Sequence, residues 1–241
     1  MCRGILRGTL VLSMLTLVAH ADPAADVKAA AKKLGDSANY SWKSTVEGGG
    51  GRGGGSTTGK TEKDGYTAIS ITMGENTVEA VMKGDQAALK LADGWKTVPE
   101  ASSADAGQPN PGRFLARMVQ NFKAPAVQAE DLADKTKDLA KAEDAYAGTL
   151  TEEGAKSLMT FGRRGGANGT PPAISNPKGS AKFWIDKDGV LSKIEFNVQG
   201  SISFNGQDRD INRTTTIEIK DVNTSKIDVG SEAKGKMAPM K

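Results

Sequence analysis

AKFWIDKDGVLSKIEFNVQG, residues 181 to 200, decides the fold class. Ala181, Phe183 and Ile185 fall on one side of an extended chain, and Lys182, Trp184 and Asp186 on the other. After Asp188-Gly189 the rhythm resumes, with Val190, Ser192, Ile194, Phe196 and Val198 opposed to Leu191, Lys193, Glu195 and Asn197. A period of two on both sides of an Asp-Gly dipeptide predicts a β-hairpin with one apolar and one polar face. Ser201 to Phe204 prolongs the run, Asn205-Gly206 marks the next turn, and Ile217 and Ile219 oppose Thr216, Glu218 and Lys220.

The same pattern occupies the first half of the chain. Tyr40, Trp42 and Val46 alternate with Ser41, Lys43, Thr45 and Glu47. Short strands follow at Tyr66 to Met73, with Ile69 and Ile71 in register, at Thr77 to Lys83, at Gln86 to Leu91 and at Trp95 to Val98. Gly74-Glu75-Asn76, Gly84-Asp85 and Asp93-Gly94 separate them, which reads as an antiparallel meander. Strands with one apolar face need a covering layer. Helical stripes supply it: Val27, Ala30, Ala31 and Leu34 behind a capping Asp22 and Pro23; Phe114, Leu115, Met118, Val119 and Phe122 behind Asn110 and Pro111; Ala126 to Ala133; and Leu158 and Met159 behind Thr151, with Glu152 and Glu153 in the first turn. Lys135 to Ala142 is ambiguous by period, and Ala145 to Leu150 reads as a strand. The expected class is α+β: a curved antiparallel sheet, a half-barrel, with helices covering its concave apolar face.

The ends read differently. Arg3 and Arg7, the uncharged run Gly8 to Val18 and Ala19-His20-Ala21 have the three parts of a secretion signal, with cleavage expected before Asp22. The apolar run falls short of the roughly 20 residues that span a bilayer. Residues 22–229 are then expected to form one domain with a helical insert at about 110–160, and 230–241 a polar, Lys-rich, flexible tail. The protein is expected to be exported to the periplasm or beyond, soluble once the signal is removed.

Cleavage would also remove Cys2 and His20, the only residues of their kinds. Disulfides, thiol nucleophiles, imidazole bases and the common transition-metal ligands go with them. Without Arg3 and Arg7, 30 basic residues face 29 acidic ones, a balance that gives no electrostatic case for nucleic acid. Gly54 to Thr61, GGSTTGKT, satisfies a phosphate-loop pattern, but Asp64-Gly65 and a strand follow it where a helix is required. Asp186-Lys187-Asp188-Gly189 has Gly in fourth place and Asn197 in twelfth, so a turn explains it better than a calcium loop. Glu152 with Glu153, and Asp131 with Asp134, read as helix-start and solvated charges. Asp208 and Asp210 belong to a turn. Arg52, Arg163 and Arg164 sit in two Gly-rich loops, Gly48 to Gly59 and Phe161 to Lys178. Asn39, Asn168, Asn212 and Asn223 begin Asn-x-Ser/Thr triplets. No catalytic residue, metal ligand or cofactor is expected.

With these hairpins in view, the chain resembles the exported lipoprotein-carrier and lipid-carrier superfamily of the LolA and LppX type. The resemblance lies in GDQAALKLADGWKTV, ending in an Asp-Gly-Trp hairpin before the helical stretch, and in AKFWIDKDGVLSKIEFNVQG followed by TTTIEIKDVNTSKIDV. It implies a half-barrel whose helices act as a lid over an apolar cavity that takes acyl chains. The two Gly-rich loops and the absence of a lipid-attachment Cys at the cleavage point depart from that pattern. The resemblance implies a non-enzymatic carrier or chaperone for a lipid or a lipidated protein, with transient contact to a membrane or membrane protein. The expected cavity residues are Ile69, Ile71, Phe114, Leu115, Met118, Phe183, Ile185, Ile194 and Phe196, with Trp42 and Trp184 as further candidates. The alternative is an envelope scaffold or accessory protein with a filled core that acts through its surface loops.

Overall fold

The computed structural model describes residues 22–48, 55–73, 76–103, 111–160, 172–204 and 207–240. The expected signal, Asn110, Arg52, Arg163, Arg164 and Asn168 lie outside them. Helix α1, Pro23–Gly35, starts as its sequence requires: the Asp22 carboxylate accepts the Ala24 N–H at 3.0 Å, and Pro23 occupies the first turn. A first meander follows, with β1 Asn39–Gly48, β2 Ser56–Glu62, β3 Thr67–Met73, β4 Asn76–Lys83, β5 Gln86–Leu91 and β6 Gly94–Thr97. Helices α2 Val98–Ser102, α3 Pro111–Gln120 and α4 Pro125–Asp134 come next. Strands β7 Thr136–Ala142 and β8 Ala145–Leu150, helix α5 Glu152–Thr160, and the long strands β9 Ala173–Ile185, β10 Leu191–Phe204 and β11 Gln207–Lys220 complete the second half. The chain ends in α6 Ser231–Gly235 and β12 Ala238–Pro239.

All twelve strands join one sheet of order β12-β5-β4-β3-β2-β1-β11-β10-β9-β8-β7, with β6 also on β5. Every pairing is antiparallel. The protein is thus α+β: a large antiparallel sheet with helices packed against one face. On that face α1 packs on α4, α2 and α3 lie toward β5, and α5 lies on β9 and β10. One core of buried side chains runs from Ile69, Ala80 and Leu89 to Phe183, Ile194 and Ile217, through Leu34, Leu115 and Leu132. Removing these side chains from water, at about 25 cal/mol per Å² of apolar surface, is the main force holding helices to sheet. No helix of the described residues is long and apolar enough to cross a membrane.

The structure departs from the sequence reading at particular places. Residues 56–59, expected in a Gly-rich loop, belong to β2, because both neighbours supply ladder bonds: Ser44 pairs with Thr57 and Thr58 with Ser70. The same residues cannot form a phosphate loop, since they lie in a central antiparallel strand. Residues 173–178 likewise belong to β9. Ala145–Leu150 is the strand its alternation predicts, paired with β9 (Tyr146 opposite Phe183), and the stretch that is ambiguous by period before it becomes β7 on its other side. Leu191, expected on the polar face, is fully buried. A bulge at Ser192 sets Leu191 opposite Ile185 and Lys193 opposite Trp184, which turns Leu191 inward. The polar tail from 230 holds α6 and β12, discussed below.

The Asp186–Gly189 segment is a turn, as its composition indicates. The Asp186 carboxylate accepts the N–H groups of Asp188 and Val190, each at 2.9 Å, and Gly189 takes φ +73°. Gly59 is required for another reason. A Cβ there would lie 2.3 Å from the Trp42 ring. That indole donates to Thr61 Oγ1 at 3.3 Å and stacks on Phe122 at 5.7 Å, so it has little freedom to yield. Gly59→Ala is therefore expected to lower stability by about 1–3 kcal/mol, as overpacking does. Urea denaturation checks this, and an unchanged midpoint would contradict the crowding.

Candidate functional site

The outer face of the sheet, away from the large helices, is ordered by strand register. One cross-strand row runs Lys220, Ser41, Lys60, Ala68, Val81, Ala88 through β11, β1, β2, β3, β4 and β5. The adjacent row runs Glu218, Lys43, Thr58, Ser70, Glu79, Lys90, Trp95 and ends on β6. Both rows are charged or polar toward β11 and β1. The first becomes apolar toward β4 and β5, where Trp95 ends the second.

Over the apolar end lies the C-terminal segment. After β11 the chain turns through Asp221 and Asn223, both at positive φ. The Asn223 side-chain oxygen accepts the Ala38 N–H at 2.8 Å, which ties the turn to the start of β1. Glu62 then accepts the Ile227 N–H at 3.3 Å, and the Lys60 ammonium donates to the Lys226 carbonyl at 3.0 Å. Val229 and Ala233 are buried with Val81 in a second small core, supported by Tyr66, Ala68, Trp95, Ile227 and Met237. Lys236 pairs with Glu100 at 3.2 Å. The Thr97 backbone N–H, and after it Lys236, hold the Glu100 carboxyl below the usual carboxylate range. The Met240 N–H donates to the Asp85 carbonyl at 2.9 Å, and β12 pairs with β5 at Gln86 and Ala87, next to the stretch that pairs with β6. These ties explain why a polar tail is ordered here.

Between this strap and the sheet is a cavity of about 590 Å³. Ala68, Val81, Trp95, Val229 and Ala233 give it an apolar side, and Trp42, Gly59 and Ile69 also border it. Its polar end holds Lys43, Lys60 and Lys220 against Asp221 and Asp228. Glu79, on the wall, is engaged by Lys90 at 3.0 Å. A volume of this size, with an apolar side and a few polar groups at one end, falls in the range of small-molecule sites. A second cavity of about 460 Å³ lies by Asp85, Gln120, Asn121, Pro239 and Met240, where β12 meets α3.

The residues expected to line a hollow under the helices are gathered in one place, as packed interior. Ile69, Ile71, Leu115, Phe183, Ile194 and Phe196 are buried in the main core, with Met118 and Ile185 packed against it. Leu115, Phe183 and Ile194 have no exposed surface. The Phe114 side chain lies outside the described residues. Of the eight whose side chains are described, Ile69 also borders the outer cavity. Trp42 stacks on Phe122, while the Trp184 indole donates to Asp144 at 3.2 Å under the Lys193 ammonium. Asp131 is paired with Lys123 and Lys135, and Asp134 with Lys28, so neither is poised for acid–base work. No group of three metal-ligating side chains occurs among the described residues.

The outer cavity was missed, although two signals for it exist. Ala80-Val81-Met82 and Ala87-Ala88-Leu89 are consecutive buried residues, which a strand covered on one face does not need. Helix α2 was missed too, despite the capping box of Thr97 and Glu100 with Pro99 between them.

No protein-family model matches the chain, and no curated protein matches its sequence. Solved structures do. The fold is similar to that of the Mycobacterium tuberculosis lipoprotein LppX. That similarity covers 86% of this chain and 98% of LppX, at 13% identity and a TM-score of 0.44. LprF from Mycobacterium bovis matches over 88% of this chain and 97% of its own, at 10% identity and a TM-score of 0.43. A chain of the Pseudomonas aeruginosa MucA/MucB complex matches over 91% of this chain and 99% of its own, at 9% identity and a TM-score of 0.29. The likeness is one of fold.

The strap depends on two small apolar side chains. Val229→Asp would set a carboxylate in the small core beside Val81, a burial that costs on the order of several kcal/mol unless a partner is found. Faster proteolytic cleavage within 226–240, mapped by mass spectrometry, is the expected result, with the main sheet still folded by circular dichroism. A cleavage rate equal to the wild type would show that the strap does not rest on this contact.

Proposed function

We propose that the protein is a non-enzymatic binding protein or carrier of the cell envelope that holds an acyl-bearing amphiphile between the outer sheet face and its C-terminal strap. The supporting observation is the 590 Å³ cavity, apolar at Val81, Trp95 and Val229 and charged at the opposite end. Hydrocarbon entering it would remove apolar surface from water on both partners, at about 25 cal/mol per Å² before the ordering costs of binding. Export from the cell is part of the same reading and rests on the Arg3-to-Ala21 signal pattern.

A second reading draws support from the buried side chains between helices and sheet: an accessory protein acting through its surface. Uptake of a fluorescent long-chain fatty acid, with native mass spectrometry of protein purified from its own host, separates the two. Binding is expected, and Ala68→Trp, which fills the cavity from β3, is expected to weaken it at least about tenfold while circular dichroism shows the main sheet still folded. Absence of both co-purified acyl species and probe uptake would leave the accessory reading.

A further inference from the structure

We propose that the outer cavity selects an amphiphile with an anionic head, the head lying at the β11–β1–β2 end near Lys43 and the hydrocarbon running toward β4 and β5. This rests on the binding reading above and adds the chemistry and direction of the ligand. Register carries the direction. Lys220, Ser41 and Lys60 stand abreast on three neighbouring strands, with Lys43 in the next row, and over the following two strands the first row continues as Ala68 and Val81. Neighbouring strands lie about 4.8 Å apart, so polarity changes over roughly 10–15 Å along the cavity. That is the length scale of a head followed by the start of a chain.

The sign of the head follows from what the charged groups already do. Lys60 donates to the Lys226 carbonyl at 3.0 Å. Lys220 pairs with Glu218 at 3.3 Å, which engages the carboxylate directly opposite Lys43 in the ladder. Asp221 accepts the Ser41 hydroxyl at 2.5 Å. Glu79 is held by Lys90. Lys43 has no ion pair or hydrogen bond among the described residues, and Asp228 is the remaining unengaged acid on the rim. Lys43, Lys60 and Lys220 thus stand beside Asp221, Asp228 and Glu218 at this end, with Lys43 the ammonium left without a partner among the described residues, and a carboxylate or phosphate on the ligand would meet it in a charge-assisted hydrogen bond.

The test uses the full chain with three probes: a fluorescent long-chain fatty acid, its methyl ester, and inorganic phosphate as competitor. The acid is expected to bind about three- to tenfold more tightly than the ester, an advantage that shrinks as salt is raised. Lys43→Glu is expected to abolish that advantage while leaving ester affinity unchanged, Lys43→Arg to keep it, and Lys182→Glu, on β9 away from the cavity, to change nothing. Matching melting curves establish that the exposed substitutions leave the fold intact. Equal binding of acid and ester, indifferent to Lys43→Glu, would overturn the head assignment and leave the binding reading standing. Displacement of the acid by inorganic phosphate alone would show a free-anion site and overturn the amphiphile. Failure of both acyl probes to bind, or binding indifferent to Ala68→Trp, would overturn the binding reading together with this one.

Discussion

The pairing of β1 with β11 is the constraint on which the rest of the molecule depends. The N-terminal meander and the C-terminal run of long strands are far apart in sequence, and this ladder makes them one sheet. Its register, Trp42 opposite Ile219 and Ser44 opposite Ile217, sends the indole and both isoleucines to the helical side. A slip of one residue would exchange the faces of β1, burying Lys43 and exposing Trp42. The penalty for burying an ammonium without a partner makes that alternative untenable. The same register decides that Ser41 meets Lys220 and that Lys43 meets Glu218, so the polar end of the outer cavity is a by-product of how the core is protected.

The sheet carries two layers of cover of unequal size. Helices α1, α3, α4 and α5 close one face along its length, and the interior they seal is continuous and packed. On the other face, among the described residues, the strap of residues 226–240 covers the sheet near β2 to β5 and is anchored at Val229 and Ala233. A small cover of this kind is held by few apolar contacts and several exposed hydrogen bonds, which are the features of regions that open at low free-energy cost. A ligand site beneath it gains a wall that can move without disturbing the core. A site under the helices would have to displace Leu115, Phe183 or Ile194, each fully enclosed.

Much of the architecture was legible because it depends on local rules. Alternation at Ala181–Ile185 and Leu191–Val198, the Asp188-Gly189 turn, and the caps at Asp22 and Thr151 each act within a few residues. The structure honours them: Thr151 Oγ1 accepts the Gly154 N–H at 3.0 Å at the start of α5. The failures lie where a distant partner overrode a local preference. Ser56-Thr57-Thr58-Gly59 looks like loop by composition and is strand because β1 and β3 both demand a neighbour. Lys135 to Ala142 became an edge strand because β8 offered its free side. Leu191 turned inward because one bulged residue changed the parity of its strand.

By itself the sequence determined which faces would be apolar, where the chain would turn, and that helices would be needed to cover the strands, since those properties follow from side-chain polarity read at periods of 2 and 3.6. It also set the chemical limits, through the single His and single Cys, both within the first 20 residues. Tertiary structure alone decided which apolar residues became sealed interior and which came to border a cavity. That distinction depends on what the far end of the chain lies against, and a polar tail carries no periodic signal of its destination. Val229 and Ala233 found the outer face of β4 because two short apolar side chains, backbone N–H groups donating to the Glu62 carboxylate and the Asp85 carbonyl, and an ion pair at Glu100 together outweigh the entropy of leaving the segment free.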